Sequence, residues 1–326
     1  MSNNAHKPAS EVINNFMELT KCHRVYLYGG AAIDRFMNPE CKIMDYDIAI
    51  KDLEEYQHAI EKLREQGFEI GTPRISFNLS TVAKHPEHGI FDLSCMDIEK
   101  NGIYNFEKFY IEYSPAHPRG RAVDRFKTVR ALREGRIEII NNPDEEKAYD
   151  LLRRFNVLAG KYVFSLDRDG INKDTIETIE RRLKETPINK STEHSRVRCL
   201  SRFLGAAFRS RPQDEYFAGI GKTNLMSYGY PQINKLINNQ EFIESLKQKP
   251  AKDKIDLIEK MLEYSEHREL FIEEISLLSK REPDREDARV INKVNELSNE
   301  KTSLQHLDSA IISPIFNHIM SARKEK

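Results

Sequence analysis

Near Asn141-Asn142-Pro143 the hydrophobic period of the chain changes, and that change limits the fold more than any other feature. Before it, short apolar runs of strand length alternate with amphipathic segments. A helix is expected from Ser10, as N-cap, to Leu19, with Val12, Ile13, Phe16 and Met17 as its apolar stripe. Val25–Tyr28 reads as a short buried strand that stops at Gly29-Gly30, and Ala31–Met37 as the helix that follows. Asp45–Ile50 alternates as a strand does, and Leu53–Gln66 is an amphipathic helix closed by Gly67. Arg74–Val82, Gly89–Met96 and Phe106–Tyr113 are further strands, the first two joined through His85-Pro86. After Pro143 the helical period dominates: Glu145–Tyr162, Lys173–Lys184, Glu193–Phe208, Lys252–Leu278 and Leu304–Ala322. The expectation is an α+β chain: a head, residues 1–142, with a small mixed β-sheet flanked by helices, then an all-helical body, residues 143–326.

At 326 residues, 39% of them hydrophobic, there is material for two cores. No apolar run is long enough to span a bilayer, and Met1–Ser10 holds no stretch of signal-peptide type. A cytoplasmic protein with no membrane partner is expected. The four cysteines, Cys22, Cys41, Cys95 and Cys199, lie far apart, which indicates neither a zinc knuckle nor a disulfide framework. The net charge of −1 hides two basic stretches, Arg119–Arg136 and Arg196–Arg211. Each reads either as a solvated helix face or as a surface for a polyanion. Gly219–Thr223 ends like a phosphate-binding loop but lacks the upstream glycine.

Chemistry concentrates between Tyr26 and Ile50. A strand that runs into two glycines and then a helix leaves backbone N–H groups free for a phosphate, with no Cβ in the way. On a strand, Asp45 and Asp47 point to one face and Tyr46 to the other. Paired carboxylates repel unless a cation joins them, and an oxygen-only donor set suits Mg²⁺. Asp92 interrupts the apolar run Gly89–Met96, where a buried carboxylate without a partner is costly, so it is the third metal ligand. Asp97, at the strand's exit, is the rival.

Gly29-Gly30 with Asp34, followed by Asp45-Tyr46-Asp47-Ile48-Ala49, resembles the head of class II CCA-adding enzymes and bacterial poly(A) polymerases. These are members of the DNA polymerase beta-like nucleotidyltransferase superfamily. Asp124–Leu132 is similar to that family's nucleotide-pocket segment, and Asp150-Leu151-Leu152-Arg153 to its base-reading helix. The likeness covers residues 10 to 185. Ile33 stands in place of the motif arginine with Arg35 nearby, Arg130 in place of an asparagine, and Tyr149 in place of a glutamate.

The resemblance implies transfer of NMP from an NTP, ATP or CTP, to an acceptor hydroxyl with release of pyrophosphate, foremost an RNA 3′ end, as in tRNA CCA addition or poly(A) synthesis. It implies a two-metal Mg²⁺ site, with Mn²⁺ as an alternative ion. It assigns Asp45, Asp47 and Asp92 as catalytic metal ligands, and Gly29, Gly30, Asp34, Arg35, Arg125, Arg130, Asp150 and Arg153 as nucleotide-binding residues. Asp150 and Arg153 read equally well as an i,i+3 surface ion pair. Nucleotidylation of a protein or small molecule, and a non-catalytic RNA-binding module, are the competing functions. The oligomeric state is left open.

Overall fold

A computed structural model describes residues 8–38, 43, 45–75, 79–100, 102–162, 166, 169–209, 212–280 and 289–297. Cys41, Met44, Arg211 and the helix expected over Leu304–Ala322 lie outside the described residues. The chain divides into two compact units, Met1–Asn142 and Pro143–Lys326. The fold is α+β, as expected: a mixed sheet with helices in the first unit and, among the described residues, helices alone in the second.

The first unit holds strands β1 (Val25–Tyr28), β2 (Tyr46–Ile50), β3 (Glu69–Ile70), β4 (Arg74–Ile75), β5 (Leu79–His85), β6 (Gly89–Cys95), β7 (Tyr110–Ser114) and β8 (His117–Val123). Their order is β3-β5-β6-β2-β1-β7-β8, and β4 also pairs with β5. All pairings are antiparallel except β2 with β6. The sheet has two unlike faces. Val25, Leu27, Tyr46, Ile48, Phe91, Leu93 and Tyr113 alternate onto one of them, each buried. Helices α1 (Ala9–Thr20), α2 (Gly29–Met37) and α3 (Leu53–Glu65) contact that sheet, with Phe16 of α1 ring to ring with Phe91 at 5.0 Å. The other face is polar near its middle, where Tyr28, Asp47, Asp92 and Ser94 lie.

Local signals explain these elements. Asp52 caps α3 by accepting from the Glu55 N–H at 2.9 Å. Acidic Glu54 and Glu55 lie in its first turn and basic Lys62 and Arg64 in its last, which suits the helix dipole. Ser10, expected as an N-cap, lies inside α1, which begins behind Pro8. Arg74–Val82 is two strands instead of one. The strand expected over Phe106–Tyr113 is a 3-10 turn, Asn105–Lys108, followed by β7. β8 and α4 (Thr128–Glu134) were not foreseen. Asp124 starts α4 by accepting from the N–H groups of Thr128 (2.6 Å) and Val129 (3.0 Å), and Gly135 ends it at φ +67°.

The second unit contains α5 (Ala148–Tyr162), α6 (Lys173–Lys184), α7 (Lys190–Arg209), α8 (Gln213–Thr223), α9 (Pro231–Ile237), α10 (Gln240–Gln248), α11 (Lys254–Glu263) and α12 (Arg268–Ile275). Of the long helix expected over Lys252–Leu278, Asp253 caps the start by accepting from Ile255 and Asp256 N–H, and the span is interrupted between Tyr264 and His267 into α11 and α12. Phe217 anchors the core, with ring centroids of Phe203, Tyr216 and Phe242 within 5.7 Å. Glu274 of α12 takes the place of a local cap for α9, accepting from Gln232 N–H (3.0 Å) and Ile233 N–H (2.8 Å). Among the described residues, no helix is long and apolar enough to cross a membrane.

Candidate active site

The polar face of the sheet is organised around two aspartates. Asp47 of β2 and Asp92 of β6 are register partners in the parallel pairing of these strands, so adjacent strands carry both carboxylates side by side. Gly29 opens α2 at φ +65°, and a Cβ placed there would lie 3.2 Å from Asp47 Oδ2. The Asp47 carboxylate therefore stands at the mouth of the glycine turn, where only hydrogen can be accommodated without a shift. Gly30 follows in the first turn of α2.

Asp45 departs from expectation. It is an exposed bend residue ahead of β2, so strand alternation does not place it with Asp47. Its charge nonetheless reaches the site. Burial raises the pKa of Asp92 above the usual carboxylate value, Arg74 draws it back, and Asp45 adds to the rise. Tyr28, the residue before the glycines, has its hydroxyl 3.1 Å from Ser94 Oγ. Burial raises its phenol, and Asp47 and Asp92 raise it further.

Tyr28, Ser94 and Arg74 escaped the sequence reading. The period-2 rule applied from Asp92 would have found Ser94, but nothing local marked Arg74. Asp97, the rival for the third carboxylate, lies past the end of β6, where it accepts from Glu99 N–H and pairs with Lys51 at 3.2 Å.

The other expected nucleotide contacts are spread more widely. Asp34 and Arg35 lie on α2, and Arg35 faces Tyr113 of β7. Arg125 pairs with Glu99 at 2.9 Å, and Arg130 with Glu134 at 2.6 Å. Asp150 and Arg153, in the second unit, do form the i,i+3 pair (3.0 Å), but not on the surface: their side chains are 12% and 17% exposed. Ser195 and Arg198 of α7 also approach Asp150. The Gly219–Thr223 run closes α8, and a Cβ at Gly221 would meet Ile237 O at 2.8 Å, so that glycine serves packing.

Among the described residues, no group of three His, Cys, Asp or Glu side chains closes into a metal cage. Mg²⁺ seldom needs one, since it takes one or two carboxylates and fills its octahedron with water and phosphate oxygens. The all-oxygen donor pair, Asp92 charged at a cost, and the space kept open by Gly29 fit such an ion.

No protein-family model matches the sequence, and no curated protein matches it. Solved structures do. A CCA-adding enzyme complexed with ATP superposes with a TM-score of 0.54 at 14% identity, over 93% of this chain and 75% of the other. A CCA-adding enzyme complexed with CTP gives 0.54 at 15% identity, over 98% and 77%. The Thermotoga maritima CCA-adding enzyme complexed with tRNA gives 0.53 at 15% identity, over 98% and 76%. At this identity the likeness speaks for architecture, and the architecture is that of the CCA-adding enzymes.

Proposed function

We propose that this protein is a metal-dependent nucleotidyltransferase that transfers NMP from ATP or CTP to an RNA 3′ hydroxyl and releases pyrophosphate. The observation that carries the reading is the side-by-side register of Asp47 and Asp92 next to a glycine turn. A scaffold without chemistry has no need to place two carboxylates on neighbouring strands where one is desolvated.

In this reading residues 1–142 are the catalytic unit, and residues 143–326 read the base and hold the acceptor. Gly29 and Gly30 admit the triphosphate, and the N–H groups at the start of α2 face its oxygens. Asp47, Asp92 and Asp45 hold divalent ions. Bound Mg²⁺ would supply charge neutralisation for the departing pyrophosphate and a lowered pKa for the acceptor hydroxyl. Asp92 stands on the acceptor side, where burial makes its charged form costly and so favours a bound cation. Tyr28, whose hydroxyl meets Ser94, walls the site from β1, on the Asp47 side. Arg125 and Arg130 are available to phosphates because their present ion pairs are exposed, and such pairs are worth at most about 1 kcal/mol. Asp150 and Arg153, held by their own pair and by Ser195 and Arg198 of α7, are the residues this reading assigns to the base. Positioning and charge stabilisation together supply most of the rate in phosphoryl transfer.

Purified protein given labelled ATP or CTP, Mg²⁺ and total RNA is expected to label RNA, and Asp47→Ala to reduce labelling by on the order of 10³-fold. Labelled protein with untouched RNA would redirect the acceptor. No labelling with any NTP would remove the enzymatic reading.

A further inference from the structure

Across the polar face, side chains follow one another in a fixed order. The glycine turn and Tyr28 of β1 come first, then Asp47 of β2, Asp92 and Ser94 of β6, Ser80 of β5 and Arg74 of β4. Register partners fix this row: Arg74 opposite Ser80, Ser80 opposite Ser94, and Ser94 two residues beyond Asp92. Directly paired residues point to the same side of a sheet, so the Arg74 side chain emerges on the face that carries the carboxylates. Arg74 is exposed, and its charge is felt at Asp92. Among the described residues it enters no ion pair within 4 Å, although its strand lies on the Asp92 flank.

The row has a polarity. An anionic triphosphate at the glycine turn occupies the Asp47 flank, so the second substrate must approach from the Asp92 flank. The divalent ions are taken up by the carboxylates and the triphosphate, so a further phosphate on that flank needs a cation of its own. We infer that Arg74 binds the internucleotide phosphate next to the reacting 3′ hydroxyl of a nucleic-acid acceptor, and so positions that hydroxyl beside Asp92. This rests on the nucleotidyltransferase reading above. Arginine suits the task because its planar fork can grip a phosphate with two donors.

The test uses the full chain and a short single-stranded RNA with a free 3′ hydroxyl, made with either an ordinary last phosphodiester or a neutral methylphosphonate. In transfer assays Arg74→Ala should raise the KM for RNA about tenfold and leave the KM for the NTP unchanged, with Arg74→Lys recovering part of the loss. The slope of log KM against log salt should fall by about 0.7, the value for one lost phosphate contact on a single strand. The methylphosphonate should weaken the wild type to the same extent and have no further effect on Arg74→Ala. Additive losses, or a change confined to the KM for the NTP, would overturn the assignment. If the protein transfers nothing at all, equilibrium binding of the two RNAs still decides about Arg74. A wild type that discriminates between them while Arg74→Ala does not keeps the contact and discards only the reaction. Equal binding of both RNAs by the wild type discards the contact.

Discussion

Gly29 combines two demands in one residue: a left-handed φ of +65° and an open side toward Asp47 Oδ2. Replacement by alanine pays about 1–2 kcal/mol in backbone strain and pushes the carboxylate. Gly29→Ala is therefore expected to fold with a slightly lower Tm and to lose at least about tenfold in kcat/KM, measured by steady-state transfer. Asp92 presents the opposite balance between stability and activity. Its folded pKa is raised, so the folded state binds its proton more tightly than the unfolded chain does, and its contribution to stability declines as pH rises through that pKa. Asp92→Asn should accordingly melt higher than the wild type at pH 7 while transferring no nucleotide; a lower Tm would contradict the assignment of burial as the cause. The motif glycines and Asp47 were legible in the sequence because a strand-to-helix turn and an alternating run announce themselves locally. Arg74 was not, because its relation to Asp92 runs through two strand pairings and no local spacing encodes it.

Elements with a complete local signal were read to the residue. β1 has an apolar run cut by glycines, and α6 has an amphipathic period with basic residues in its last turn. β8 had no such signal. His-Pro-Arg-Gly-Arg-Ala-Val shows no apolar alternation, because it is an edge strand whose charges and proline discourage further pairing. One of those arginines, Arg121, together with Arg24, neutralises the buried Glu112, so part of the first basic stretch is structural. At the same scale, Glu274 fastens α12 to the start of α9. Burial pushes its carboxyl up to about 7, against the two N–H groups and Arg196, which pull it down. A carboxyl with a raised folded pKa stabilises most below its unfolded value and loses that contribution as pH rises through the folded one. Thermal melts between pH 4.5 and 8 should thus show wild-type Tm falling relative to Glu274→Gln, most steeply between the ordinary carboxyl value and about 7, and levelling off above.

At the scale of the molecule, two units with separate internal cores account for the change of hydrophobic period near residue 142. In the second unit Phe217 is fully buried among three rings. Phe217→Ala should cost about 3–5 kcal/mol in urea unfolding followed by helical circular dichroism. The helical character of this unit was plain from periodicity, but α8, α9 and α10 were not foreseen, since helices of their length show too few turns to establish a period.

The parallel pairing of β2 with β6 carries a consequence for how such a site tolerates change. Phe91 and Leu93 flank Asp92 and are sunk in the apolar side of the sheet, as Tyr46 and Ile48 are around Asp47. A slip of one residue would drive an acid into oil and lift a phenyl ring into water. The alignment of the acids is thus dictated by greasy neighbours that never meet a substrate, and polar substitutions on the hidden side should spoil chemistry on the visible one.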